Sequence, residues 1–297
     1  MGTRSIRKNK HRKKVNTGKY MIAVMLLLLG VFLTGYICRS MLADNETENF
    51  EKQKKITKLA HVSIDDATQI FQDIHFHGYD SIFDNEVMQS LRQLHNKYGL
   101  KVTLYVFGEL DDFGLWDFPK TYQKEFEANA DWLKIGYHSM KEENPAESPS
   151  TEKEFLTDFE KVNQTICEIA GEKSLAHVLR LHYWYATDWM VQDMEEQGIT
   201  GLLCSDSDML SYDLTEHQQK SLYASRDGKI TDDLNYYVTD IRLEKTENIK
   251  TALEDKKSDR ILVVFTHAWC YMDNEDKMQE TAEWMAKHGY RFTFFEE

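Results

Sequence analysis

Proline is nearly absent, with 3 in 297 residues, and cysteine is scarce, with 4. So little proline rules out a proline-rich spacer and leaves long stretches free to form helices and strands. Cys38 sits in an apolar run, and Cys167, Cys204 and Cys270 match no zinc-finger spacing, so neither a disulfide scaffold nor a cysteine zinc site is expected. Buried free thiols are the simpler reading of the three.

Positive charge is also short, with 36 Lys+Arg against 50 Asp+Glu, and it is crowded at one end. The nine Lys/Arg up to Arg39 leave 27 against all 50 acidic residues beyond it, a balance of about −23. Nucleic acid and anionic lipid are poor partners for so acidic a region, whereas neutral or cationic polymers are compatible with it. Acidity that merely keeps a domain soluble would read the same way.

Long hydrophobic runs are missing except for one, "YMIAVMLLLLGVFLTGYIC", from Tyr20 to Cys38. As a helix rising about 1.5 Å per residue it just spans a hydrocarbon core. Basic residues precede it and few follow, so the expected arrangement is a cytoplasmic tail over 1–19, a membrane anchor over 20–38, a polar stalk over 39–58 and an extracellular domain over 59–297. A cleaved signal peptide is the competing reading, but its apolar core would be shorter and "SMLADN" is a poor cleavage site.

Beyond the stalk, β-branched and aromatic runs alternate with amphipathic stretches. "KVTLYVF", "WLKIGYH", "HVLRLHY", "ITGLLCS", "NYYVTDIRL", "ILVVFTH" and "YRFTFF" read as strands, most too apolar for a sheet with one wet face. "DNEVMQSLRQLHNKYG" and "STEKEFLTDFEKVNQTICEIAG" read as helices, the second with Thr151 and Glu154 as a capping box and a stop near Gly171. Alternating strand and helix implies an α/β fold with a parallel sheet, and this many units points to a barrel. No internal repeat is visible.

In parallel barrels the chemistry gathers at the C-terminal ends of strands. The polar residues expected there are Asp65 and Asp66 in "HVSIDD", His138 in "KIGYH", Arg180 and His182 in "HVLRLHY", Asp206 and Asp208 in "GLLCSDSD", and His267 in "VVFTH". Singly, each reads as a cap, a turn or a structural histidine. Their order is what carries meaning.

The series "SIDD", "HSMKE", "RLHY", "SDSD" and "FTH" resembles, in order and spacing, the five motifs of the polysaccharide deacetylases, carbohydrate esterase family 4 with the NodB homology domain. The resemblance covers about residues 60–297 and implies an irregular (β/α) barrel, a divalent metal, commonly zinc, and removal of N- or O-acetyl groups from a cell-surface glycan. It makes Asp65 the general base, Asp66 and His138 metal ligands, Arg180 the residue that orients the base, His267 the general acid, and Tyr183 part of the groove. Ser139 matches a Ser/Thr of the second motif. His182, Asp208 and Trp269 are further expected groove residues.

Several positions depart from the pattern. Glu142 stands for the second metal-binding His, His182 for Pro, Ala67 for Gly, Ser205 and Met209 for the Asp and Trp of the fourth motif, and Phe265 for Leu. If "SMKEE" begins a helix, His138 and Glu142 share a face, and Asp66, His138 and Glu142 form an open three-ligand site for zinc, or for manganese or magnesium. Otherwise Glu142 is a solvated carboxylate and the metal site is lost. A catalytically silent relative that binds glycan or a partner protein is the alternative function. His75 and His77 in "IHFHGYD" are expected as a surface pair on a loop.

Overall fold

β1, Lys58–Asp65, is the strand around which the others assemble. The computed structural model describes residues 58–206, 209–225 and 234–296; the tail, the apolar run, the stalk up to residue 57 and Asp208 lie outside them, and Lys58, expected as the end of the stalk, opens β1. Among the described residues no helix is long and apolar enough to cross a membrane.

Parallel pairing extends from β1 in both directions. On one side β1 pairs with β2, Val102–Phe107, which pairs in turn with β3, Leu133–Ser139. A single parallel bridge, Ile135 to Leu175, continues the sequence toward β4, Val178–Leu179, and β5, Gly201–Leu203. β6, Asn235–Tyr237, pairs with β5, and β7, Ile241–Arg242, pairs with β8, Ile261–His267, which returns to β1. The pairings form two parallel arcs that trace a ring, joined at one end by the single Ile135–Leu175 bridge and at the other by the chain itself, the stretch from Asn235 to Arg242 belonging to both. A last short strand, β9, Tyr290–Phe292, pairs with the start of β1.

The helices follow the sequence pattern. α1, Thr68–His77, ends at Gly78, where a φ of 61° is open to glycine at little cost. α2, Glu86–Tyr98, starts on the Asn85 side chain, which accepts from the Met88 amide, and stops at Gly99. α3, Glu152–Ala170, carries the expected Thr151–Glu154 capping box. It buries Phe155, Phe159, Val162, Ile166 and Ile169, with the Phe159 ring edge-on to Tyr137 of β3. The remaining longer helices are α4, Asp188–Glu196, α5, Glu216–Ser225, α6, Ile249–Asp255, and α7, Glu275–Lys287, and a short helix, Gln123–Ala128, precedes β3.

Period-two alternation sorts β1 into two faces. Ala60, Val62 and Ile64 join the apolar core, while Ser63 and Asp65 turn to the Arg180 guanidinium inside the ring. The register pairs Asp65 with His267, so both strands deliver their last side chain at one level.

Candidate active site

Two consecutive carboxylates at a strand end would ordinarily point to opposite faces. Asp66 avoids this by taking a φ of 55°, a left-handed conformation that Asp tolerates better than most residues. Thr68 then pins the turn to β2: its hydroxyl donates to the Phe107 carbonyl and accepts from the Phe107 amide. Asp65 and Asp66 consequently open on one cavity of about 300 Å³, shared with His138, His182, Arg242 and His267.

The groups that converge there are Asp66, His138 and His182, whose ligand atoms lie within 4.8 Å of one another. His138 Nε2 is 3.4 Å from Asp66 Oδ1 and 3.2 Å from His182 Nδ1, and His182 Nδ1 is 4.0 Å from Asp66 Oδ1. A tetrahedral zinc centre with bonds of about 2.1 Å has edges of about 3.4 Å, so the triangle has the size of such a site.

Protonation strengthens the fit. Nδ1 of His138 meets the Arg180 carbonyl at 2.5 Å and Nε2 of His182 meets the Glu142 carbonyl at 2.7 Å. A carbonyl only accepts, so each imidazole donates outward, and in its neutral form turns a lone pair inward, the arrangement usual behind metal-binding histidines. Asp66 Oδ1 is buried without a hydrogen-bond partner. Two lone pairs and one orphaned carboxylate oxygen facing one another call for a cation, and the two-nitrogen, one-oxygen set suits zinc.

Electrostatics push the two imidazoles apart. Burial lowers His182 to about 4, aided by the neighbouring His138. Burial opposes a charge on His138 too, but the facing carboxylates of Asp66 and Asp65 outweigh it and raise its pKa. Asp66 is lowered, burial being overcome by His138, His267 and His182.

Asp65 stands beside this group, its Oδ1 3.3 Å from Arg180 Nε. Arg180 is only 1% exposed. It also donates to the Thr239 hydroxyl at 2.7 Å and lies over the Phe265 ring at 4.1 Å, which gives the non-leucine Phe265 a function as a platform. Burial nonetheless raises the pKa of Asp65 against the pull of Arg180. A cation–carboxylate pair in a dry site is thus a shifted base rather than an ordinary ionised one.

On the opposite side, His267 Nδ1 is 2.6 Å from Glu244 Oε1. Glu244 also accepts from Arg242 Nε at 2.5 Å and from the Thr266 hydroxyl at 3.0 Å. Burial works against the Glu244 charge, but the His267 and Arg242 contacts hold its pKa down at about 2. Glu244 is a site residue that sequence reasoning passed over: "SDSD" was matched to the fourth motif, whereas the carboxylate that meets His267 follows β7. Its only sequence signal was a position one turn beyond a strand end, in "DIRLEK".

Three expectations need correction. Residues 140–148 form bends and turns, so His138 and Glu142 do not share a helical face; Glu142 is exposed, and it serves through its carbonyl while His182 takes the third place. His182 lines the cavity as expected and in addition joins the Asp66–His138 cluster. His75 and His77 lie on helix α1, where a spacing of two separates them around the axis, and His77 instead pairs with Asp73. Tyr183 and Trp269 do border the cavity, 48% and 55% exposed.

No family model matches the sequence, and no curated protein matches it. Among solved structures the chain is similar to a family 4 carbohydrate esterase from Streptomyces lividans in complex with acetate, at 14% identity and a TM-score of 0.43, over 78% of this chain and 90% of that one. It is similar to a family 4 carbohydrate esterase from Bacillus anthracis at 13% identity and a TM-score of 0.38, over 80% of each chain. A 4-alpha-glucanotransferase from Thermococcus litoralis shares 10% identity with a TM-score of 0.52, over 80% of this chain and 37% of that one. The glucanotransferase likeness, at 10% identity, is one of fold alone, an α/β architecture on a parallel sheet.

Proposed function

We propose that the protein is a metal-dependent hydrolase that removes acetyl groups from an N- or O-acetylated glycan. The convergence of Asp66, His138 and His182, with both imidazole lone pairs turned inward, carries this reading. A bound divalent cation, most simply zinc, would polarise the acetyl carbonyl and acidify the attacking water.

The remaining steps fall to side chains already placed. Asp65, held by Arg180, takes a proton as water adds to the carbonyl carbon. His267, aligned by Glu244, delivers a proton to the departing amine or hydroxyl as its bond to that carbon breaks, leaving acetate. The ordered motifs support the acetylated glycan as substrate, and the exposed rings of Tyr183 and Trp269 at the cavity mouth suit a sugar face. The basic tail and apolar run support a cell-membrane location with the domain outside.

The test is metal content together with acetate release from N-acetylated oligosaccharides and acetylated cell-wall glycan. The expected result is one metal per chain, hydrolysis abolished by chelator, and an Asp65→Asn variant that keeps the metal but loses on the order of 10²–10⁴-fold in rate. An unaltered rate in Asp65→Asn, or a parent that binds no metal, would sink the reading.

A further inference from the structure

Trp269 combines two properties that rarely go together. The residue is 55% exposed, yet its indole Nε1 donates to Asp66 Oδ2 at 3.1 Å. The residue is held there firmly. It sits in a 3-10 turn, Ala268–Cys270, closed behind by the buried Tyr271, whose hydroxyl is 2.9 Å from that of Ser90 on α2. Asn274 donates to the Cys270 carbonyl at 2.9 Å, tying the other end of the turn.

The two oxygens of Asp66 thus have different duties. Oδ1 faces His138 Nε2 and His182 Nδ1, whereas Oδ2 is engaged by the indole. Nε2 of His267 lies 4.0 Å from that same Oδ2. Without the indole, Oδ2 would be open both to the centre of the ligand group and to His267.

We propose that Trp269 is a positioning residue that confines Asp66 to ligation through one oxygen and keeps that carboxylate apart from His267. The inference rests on the metal-dependent reading above. A carboxylate held by an N–H donor is oriented before any cation arrives, which is how outer hydrogen bonds sharpen a metal site. Exposure gives the contact a further use, because a sugar stacked on the ring would press on the group that orients a ligand.

The experiment compares the full-length chain with Trp269→Phe and Trp269→Ala. Zinc and manganese dissociation constants are measured by competition with a chromophoric chelator, and thermal midpoints are taken without metal. Zinc affinity should fall by about 10- to 100-fold in both variants. The preference for zinc over manganese should narrow, since a freed second oxygen favours the more oxygen-loving ion. Metal-free midpoints should match the parent, because so exposed a ring contributes little packing.

Parental zinc affinity in Trp269→Phe, with loss confined to Trp269→Ala, would overturn the proposal by showing that the ring and not its N–H matters. Unchanged affinity in both variants would overturn it as well. A parent that takes up neither metal would instead strike at the metal-dependent reading, and the inference would fall with it.

Discussion

The Nε2 of His182 donates to the backbone carbonyl of Glu142 at 2.7 Å. A side chain expected in the groove is thereby aimed by the residue expected to be a ligand.

That exchange separates two variants. His182→Ala should weaken zinc binding by on the order of 100-fold or more, since a ligand nitrogen is lost, whereas Glu142→Gln should stay within about threefold because its carbonyl remains. Chelator competition on both variants checks it, and equal losses would mean that the Glu142 carboxylate participates after all.

Glu244→Gln removes the charge that faces His267 Nδ1 and leaves the side chain's shape. An amide can offer its N–H to that nitrogen and so favour the wrong tautomer of the imidazole. Acetate release should drop by on the order of 100-fold in kcat with KM little changed, while metal content stays at the parental level. A changed KM with an intact kcat would place Glu244 in substrate binding instead.

Arg180 is almost wholly enclosed with Asp65, so removing one partner leaves an uncompensated group in a dry interior. Arg180→Met should cost about 3–5 kcal/mol in urea unfolding, and adding Asp65→Asn should restore part of that loss. A double variant no more stable than Arg180→Met would show that Asp65 is not what Arg180 neutralises.

His61 gives the fold a pH dependence of its own. Burial, assisted by the charge of Arg180, lowers its pKa from 6.5 to about 3. The unfolded chain therefore binds a proton that the folded one refuses, so stability is full above 6.5 and declines as pH falls toward 3. From about pH 7 to about pH 5 the loss should be about 2 kcal/mol, and His61→Gln should flatten that part of the profile. Unfolding midpoints across this range decide the matter.

Much of this architecture was legible because local rules and the fold agree. "ILVVFTH" has the length, branching and apolarity of an enclosed strand, and Thr151 with Glu154 announces its helix by reciprocal hydrogen bonds. Asp65, Asp66, His138, Arg180 and His267 were legible for a related reason, since each lies at or just beyond the C-terminal end of a strand. The third member of the Asp66–His138 cluster was not. Its assignment depended on whether "SMKEENP" winds into a helix, and Pro145 with the turn-forming Asn144 leaves it irregular. Identifying His182 required knowing that β3 and β4 stand side by side, a relation between positions 44 residues apart. Glu244 escaped because a 3-10 turn after an interrupted strand has no periodicity to mark it.

The stretch from Asn235 to Arg242, which belongs to both arcs of the ring, is also a seam. Thr239, at its interruption, accepts from Arg180 beside Asp65 and donates to the Cys204 carbonyl. Three residues on, Arg242 braces the Glu244 carboxylate that meets His267. Joining the two arcs and fixing the distance between Asp65 and His267 are therefore a single mechanical act: slack at this seam would spoil the spacing of both side chains together, before either was itself altered.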